Sequence, residues 1–190
     1  MMMKNRSIAT ALIFAGVAFS ASASAQTYVG GALSQARWDV DCAGATACDT
    51  SDTGYKFFAG YDFNQIIGIE ASYFYLGDVT ASDGVVKGSF NAKGLEASAV
   101  VKTPRLKGFA GFAKLGLAYV HGESGGTVAG ISASTSKSSA QPVYGLGITY
   151  LIGDNTSVRA EYERRKVKVA DMDGSTTTVS TFSIGLQASY

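Results

Sequence analysis

The chain has 190 residues and a net charge of +1, from 16 Lys and Arg against 15 Asp and Glu, so it has no excess of positive charge for binding nucleic acid. Its 23 glycines have no three-residue period, which excludes collagen, and two cysteines with one histidine are too few soft ligands for a structural zinc site. No long apolar run follows residue 25, so the mature chain is not predicted to cross a membrane with helices.

The first 25 residues have the pattern of a secretory signal peptide. Two basic residues precede the apolar stretch Ile8–Phe19, and small residues follow it. That stretch is about a dozen residues long, which is too short to span a bilayer. We therefore expect cleavage between Ala25 and Gln26, which leaves residues 26–190 as one domain.

The rest of the chain contains eight segments in which apolar residues alternate with polar or small ones. Each is about ten residues long, as a tilted strand that crosses a bilayer must be. The segments are Tyr28–Trp38, Tyr55–Phe63, Ile67–Leu76, Lys93–Val101, Phe109–Tyr119, Pro142–Leu151, Ser157–Arg165 and Thr178–Tyr190. This pattern predicts an all-β fold, an eight-stranded antiparallel up-and-down transmembrane β-barrel.

The connections between the predicted strands alternate between short and long. Long links follow the first, third, fifth and seventh segments, and the third of them, residues 121–141, is rich in Gly, Ser, Thr and Ala. Short periplasmic turns and long outer loops are typical of outer-membrane barrels. Lipid cannot solvate an open sheet edge, so the first and last strands are expected to pair.

The first long link contains both cysteines, Cys42 and Cys48. Export delivers them to an oxidising compartment, where two nearby cysteines tend to form a disulfide. We predict a Cys42–Cys48 disulfide in an outer loop, with two free thiols as the alternative.

Aromatic residues fall at both ends of the predicted strands, at the level of the lipid headgroups. They are Tyr28, Phe63 and Tyr190 at the periplasmic ends, and Trp38, Tyr55, Tyr75 and Tyr119 at the outer ends. The last segment places an apolar residue at every second position, at Phe182, Ile184, Leu186, Ala188 and Tyr190. This resembles the terminal-strand signal that the barrel assembly machinery recognises, so that machinery and periplasmic chaperones are the expected assembly partners.

Alternation assigns charged residues of both signs to the interior of the barrel. They are Arg37, Lys56, Lys114, Arg159 and Arg165, with Asp62, Glu70, Glu96, Glu161 and Glu163. An eight-stranded barrel is just wide enough for its own side chains to fill it, and charges buried there must be paired. A structural polar plug is the favoured interpretation, and a narrow ion path is the alternative.

His121, Glu123 and Ser124 form a second candidate site, because a His near a Ser and an acid can serve a hydrolase. His121 and Ser124 are three positions apart, so they would not share one face of a strand. A histidine in a Ser/Gly-rich loop is the favoured interpretation. No catalytic residue, metal ligand or cofactor is therefore predicted.

Three segments resemble one known family. The segment Gly60–Gly77 has the pattern G-Y-x-x-N, then an apolar strand with a central Glu, an aromatic and Leu-Gly. It resembles the second hairpin of the outer-membrane protein A (OmpA) transmembrane domain, and Ala113–Gly116 and Val158–Glu163 look like the fifth and seventh strands of that family. The likeness extends over residues 27–190.

The resemblance implies a lumen salt bridge between Glu70 and Arg159, with Glu161 and Lys114 beside it. Val100 and Thr149 stand where the best-known member has a lumen lysine and a lumen glutamate, so a switching ion-pair gate is not implied. The best-known members also have a periplasmic peptidoglycan-binding domain, and we do not expect its function to carry over to this chain.

We expect a stand-alone, non-enzymatic barrel in the bacterial outer membrane, surrounded by outer-membrane lipid and lipopolysaccharide. Its role would be structural, in envelope integrity, with outer loops available for adhesion to or recognition of host or surface ligands. A narrow ion-conducting pore and a lipid A-modifying enzyme are the alternatives, and nucleic acid is not an expected partner.

Overall fold

The computed structural model describes residues 26–39, 47–48, 50–83, 86–128, 131–168 and 176–190. Eight long antiparallel strands in these ranges form a closed barrel. They are β1 (Gln26–Trp38), β2 (Ser51–Asp62), β3 (Ile67–Asp83), β4 (Val86–Lys102), β5 (Phe109–Val128), β6 (Ile131–Leu151), β7 (Thr156–Lys168) and β8 (Thr176–Ser189). A two-residue strand, Ala47–Cys48, also pairs with β3. The predicted eight-stranded barrel is confirmed.

Each strand pairs with its neighbours in the sequence, and β1 pairs with β8 from Tyr28 to Trp38, which closes the wall. A path that starts at Arg37 and passes from each residue to its partner on the next strand goes once around the barrel. It reaches β1 again at Thr27, which lies nearer the start of the strand. The strands are therefore staggered and tilted, as closure of a barrel requires. Among the described residues, no helix is long and apolar enough to span a membrane.

Side chains on the wall alternate between a packed interior and an exposed apolar exterior. On β8, Ser183 is 2% exposed, whereas its neighbour Ile184 is 54% exposed. The same alternation holds on β2 to β7, with the faces that the sequence predicts. The exposed apolar band is the surface that the hydrocarbon of a bilayer covers.

Strand β1 has the opposite orientation from the prediction. Tyr28 and Trp38 are 1% and 3% exposed and point into the barrel, whereas Leu33 is 71% exposed and Arg37 lies on the outer face. Six of the 13 residues of β1 are small, so its alternation is weak, and a one-residue error in register moves every side chain to the other face. Arg37 is therefore not a lumen residue, and Tyr28 and Trp38 are not part of the exterior aromatic bands.

The hairpins β3–β4 and β5–β6 are longer than the sequence predicts. Pairing continues from Tyr119 on β5 to Val128, which pairs with Ile131. The prediction that residues 121–141 form a loop is therefore wrong, because the backbone ladder continues after the alternation of apolar residues ends. On β3, Gly77 has a φ of +80°, which a glycine adopts without strain, and the adjacent Asp78 N–H donates to Asp52 Oδ2 at 2.6 Å in an irregular step of the ladder.

Two predicted sites include a residue that lies outside the described ranges. Ala25, at the predicted cleavage site, lies outside the described residues, whereas Gln26 begins β1. Cys42 also lies outside the described residues, so the Cys42–Cys48 disulfide stays a prediction.

Candidate functional site in the barrel lumen

The middle of the lumen holds a cluster of eight buried charges, which we call the lumen network. Every member points inward from β2, β3, β4, β5 or β7 and is at most 4% exposed. The cations are Lys56, Lys114, Arg159 and Arg165, and the carboxylates are Glu70, Glu96, Glu161 and Glu163. The formal charges of the cluster cancel.

Glu70 on β3 and Arg159 on β7 form a bidentate salt bridge across the barrel. Arg159 Nη1 lies 2.6 Å from Glu70 Oε2, and Nη2 lies 3.2 Å from Oε1. Tyr28 donates a hydrogen bond of 3.0 Å to the same Oε2. The guanidinium also lies between two rings, 4.4 Å from the centroid of Phe58 and 4.2 Å from that of Phe112. Arginine suits this position because its planar fork matches a carboxylate and its faces stack on aromatic rings.

Lys114 on β5 joins the carboxylates of three other strands. Its Nζ lies 2.7 Å from Glu96, 2.8 Å from Glu161 and 3.6 Å from Glu70, and it also contacts Glu163. An ammonium has three donors and no fixed plane, so it can serve several carboxylates at once. Lys114 is therefore the centre of the lumen network.

The remaining two cations complete the pairing on either side of Lys114. Lys56 Nζ lies 2.5 Å from Glu161 and 3.1 Å from Glu163. Arg165 Nη2 lies 3.1 Å from Glu163 and 3.5 Å from Glu96, and its guanidinium lies 4.0 Å from the centroid of the Phe74 ring. Each carboxylate thus has at least one cation within ion-pair distance, which compensates the cost of its burial.

An apolar plug lies one step closer to the outside than the lumen network. On β7 the next inward residue after Arg165 is Val167, and on β3 the inward residues after Glu70 and Ser72 are Phe74 and Leu76. The plug consists of Ala36, Trp38, Phe74, Leu76, Ala92, Ala118, Val120, Val143, Val167 and Val179, all almost fully buried. The outer part of the barrel is therefore packed like the core of a water-soluble protein.

On the periplasmic side the lumen opens into a cavity of about 480 Å³ that Arg159 and Phe112 line at its inner end. Lys102 and Asp62 line its wall and form an ion pair of 2.6 Å. The cavity is a vestibule open to the periplasm, and the lumen network lies beyond it.

A second polar cluster lies on the outer face of β4, β5 and β6, beyond Tyr119. His121 Nδ1 lies 2.8 Å from Ser138 Oγ, and its Nε2 lies 3.4 Å from Glu123. Lys93 donates to Glu123 at 3.2 Å, and this hydrogen bond lowers the pKa of the Glu123 carboxyl. His121 is thus on a strand, not in a loop, and its hydroxyl neighbour is Ser138. The side chain of the predicted partner Ser124 lies outside the described part of the chain.

Known proteins resemble this chain along most of its length. A sequence model of the OmpA-like transmembrane domain matches residues 22–190. The chain belongs to that family. Outer membrane protein A of Yersinia pseudotuberculosis is 28% identical over 171 residues, which cover 85% of this chain and 48% of the relative. This OmpA-like chain spans a third to a half of the length of the curated relatives it matches.

Solved structures agree with the fold of the OmpA-like barrel. Ail, the attachment invasion locus protein of Yersinia pestis, superposes with a TM-score of 0.62 at 20% identity, covering 88% of this chain and 99% of Ail. Neisserial surface protein A superposes with a TM-score of 0.60 at 14% identity, covering 85% of this chain and 96% of that protein. At these identities the likeness establishes the fold alone. The family match, with its named relatives, places the protein in the bacterial outer membrane.

The structure of the OmpA-like barrel brings most of the predicted lumen residues together. Glu70, Glu96, Lys114, Arg159 and Glu161 all lie within the lumen network. Arg37 does not join them because β1 has the opposite orientation.

The lumen also contains aromatic rings that sequence reasoning missed. Tyr28, Phe58, Phe74 and Phe112 point inward and contact the charged groups. One of these rings is predictable from the sequence. Phe57 and Phe58 are adjacent on β2, and alternation requires one of them to face the lumen.

Proposed function

We propose that this outer-membrane protein is a non-enzymatic, non-conducting scaffold whose extended outer hairpins bind ligands on other cells or surfaces. One observation carries the proposal. The lumen is filled by paired charges and an apolar plug, while β5 and β6 remain paired as far as Val128 and Ile131, well beyond Tyr119. The packed interior gives a rigid base, and the hairpins are the part that extends away from the membrane.

The packed lumen argues against the ion-pore alternative. A permeating ion would have to replace ion pairs such as Glu70–Arg159 and then pass Trp38 and Phe74 in the plug. Separating a buried pair strands a charge, at a cost of about 3–5 kcal/mol for each. Purified protein in planar bilayers is therefore expected to give no unit conductance, and discrete channel steps would favour a pore.

The outer polar cluster argues only weakly for the enzyme alternative. His121 has a hydroxyl on one nitrogen and a carboxylate near the other, but it is part of a regular ladder in which it pairs with Ser138 and Lys93. Paired strands offer few free N–H groups for an oxyanion, which is usually the largest contribution to acyl-transfer catalysis. We expect identical lipid A masses in cells that express the wild type and His121→Ala.

Attachment is supported by the hairpins and by a barrel of the same fold. Ail is named as an attachment and invasion protein, and its likeness here is limited to the fold. Ligand binding by hairpins on a rigid barrel needs no open lumen and no catalytic group, which agrees with the packed interior.

The experiment compares two shortened proteins with the wild type on the surface of a non-adherent bacterium. One variant joins His121 to Ser138 through an Asn-Gly turn, which removes the far end of the β5–β6 hairpin and keeps the barrel. The matched variant joins Asp78 to Asn91 in the same way on β3–β4. Attachment to epithelial cells or coated surfaces should fall for at least one variant at equal surface levels. Equal attachment by all three strains and by the empty strain would contradict the proposal.

A further inference from the structure

We infer that Arg37, Arg164 and Lys166 form a binding site on the outer wall of the barrel for the phosphate groups of outer-leaflet lipid. We call these three residues the basic patch. They lie on β1 and β7, on either side of β8, and all three occupy outward positions by the alternation of their strands. The site would operate whether or not the outer hairpins bind a ligand.

The register places the two arginines in one row across three strands. Arg37 pairs with Ser180 on β8, and Ser180 pairs with Arg164 on β7. Two strand spacings separate the arginine backbones by about 10 Å, which is within the combined reach of two guanidinium groups around one phosphate. Lys166, at the next outward position on β7, pairs with Thr178.

The height of the basic patch matches the headgroup region. On β7 the outward residues run from Val158 and Ala160 through Tyr162 to Arg164 and Lys166. The first two lie in the apolar band, and an interfacial tyrosine such as Tyr162 marks its edge. The cations therefore begin where hydrocarbon ends and phosphates are found.

No carboxylate of the described residues pairs with the cations of the basic patch. In the described part of the chain none of the three cations forms an ion pair, and Glu161 and Glu163, which alternate with them on β7, point into the lumen. Asp39 is the one described carboxylate that follows at the next outward position of β1, so the row keeps a positive balance.

One neutral donor, the hydroxyl of Ser180, lies beside the basic patch. Tyr162 donates to Ser180 Oγ at 3.2 Å, which leaves the serine hydroxyl proton free to face the space between the two arginines. A phosphate monoester accepts several charge-assisted hydrogen bonds and favours arginine forks. The polar cluster around His121 on the opposite side of the wall is a poorer match, because its Lys93 already pairs with Glu123.

The test measures lipid binding by the folded barrel in a nonionic detergent. Bis-phosphorylated lipid A is added, and bound lipid is counted by native mass spectrometry. The variant Arg37→Gln/Arg164→Gln/Lys166→Gln should bind at least about tenfold more weakly than the wild type, since each cation near a lipid surface contributes to binding. The matched control Arg105→Gln/Lys107→Gln/Lys137→Gln removes three exposed cations elsewhere and should bind like the wild type.

Two further arms identify what is recognised. Dephosphorylated lipid A should bind the wild type no better than it binds the triple variant, and millimolar inorganic phosphate should not displace bound lipid A. Equal binding of lipid A by the wild type and the triple variant would overturn the inference, as would full competition by inorganic phosphate. If the triple variant does not fold, Arg37→Gln/Lys166→Gln, which changes only exposed residues, provides the same comparison.

Discussion

At the scale of single residues, neighbours on one strand of this barrel are in opposite environments. On β7, Glu163 is 1% exposed in the lumen network, whereas the next residue, Arg164, lies on the outer wall. The two environments therefore differ in where a charged side chain finds its partner. A lumen charge needs a partner within the protein, and an outer-wall charge can take one from the membrane surface.

The ion pair of Glu70 and Arg159 is expected to stabilise the barrel only as a pair. Glu70→Gln or Arg159→Met alone strands a buried charge and should lower the free energy of unfolding by about 3–5 kcal/mol. The double variant should lose less than the sum, because neither charge is then stranded. Urea unfolding in lipid vesicles measures all four proteins, and strict additivity would mean that the two residues do not interact.

A matched pair on the outer wall controls for this measurement. Lys93 and Glu123 lie 3.2 Å apart, but their side chains are 44% and 43% exposed. Water and salt screen such a pair, so the cycle of Lys93→Met and Glu123→Gln should show a much smaller coupling.

The inward orientation of Trp38 is also testable, because it is the only tryptophan of the chain. Its ring lies in the apolar plug and is 3% exposed, so lipids with brominated acyl chains should not quench its fluorescence. In the variant Trp38→Phe/Leu33→Trp, the new tryptophan takes a position on the same strand that is 71% exposed, and brominated lipid should quench it strongly. Strong quenching of the wild type would contradict the orientation of β1.

At the scale of elements, β8 closes the barrel and carries the predicted assembly signal. Phe182, Ile184 and Leu186 face outward, and the Tyr190 N–H donates to Thr27 O at 2.8 Å, beside the β1–β8 seam. The seam makes the last strand indispensable to closure, since an open edge cannot exist in lipid.

Removal of Tyr190 is expected to impair assembly more than final stability. Its ring is 71% exposed at the periplasmic interface, so its loss should lower stability by at most a few kcal/mol. A chain truncated at Ser189 should show a several-fold lower yield of folded barrel in the outer-membrane fraction. Tyr190→Phe keeps the aromatic ring and should assemble normally, and normal levels of the truncated chain would count against an assembly signal.

The link between β1 and β2 is expected to contain the Cys42–Cys48 disulfide. Export to an oxidising compartment and a short spacing favour the bond, which would be worth about 2 kcal/mol or more by the entropy of closing so small a ring. Intact mass with and without reductant before alkylation measures it. Alkylation of both thiols without reductant would disprove the bond.

At the scale of the whole molecule, the barrel has two different filled regions stacked along its axis. The lumen network lies where lipid surrounds the wall, and the apolar plug lies toward the outer end, where the hairpins continue beyond Tyr119. With the interior occupied along this length, the barrel is a packed body and not an open tube.

This packing predicts a heat-modifiable protein. An unheated sample folded in detergent or lipid should migrate differently on gels from a boiled one, because the closed ladder resists the detergent until it is heated. Far-ultraviolet circular dichroism should show a strand-dominated spectrum, and a spectrum dominated by helix would contradict the fold.

The fold class, the number of strands and the faces of β2 to β8 are all predictable from the amino-acid sequence. Side chains of a strand alternate between its two faces, and lipid requires apolar residues on the outer face. The apolar positions of a segment such as Phe182–Tyr190 therefore show which of its side chains face the lipid. Of the ten charged residues that alternation assigns to the lumen, eight form the lumen network for the same reason. Asp62 lines the vestibule, where it pairs with Lys102, and Arg37 is the exception on the outer wall.

Tertiary structure alone decided the rest. The face of β1 depends on its pairing with β2 and β8, because its small residues fit either register. The partners of Lys114 depend on the stagger that brings β3, β4 and β7 to one level around it. The length of the outer hairpins depends on backbone pairing, which persists without the alternation that lipid imposes on side chains.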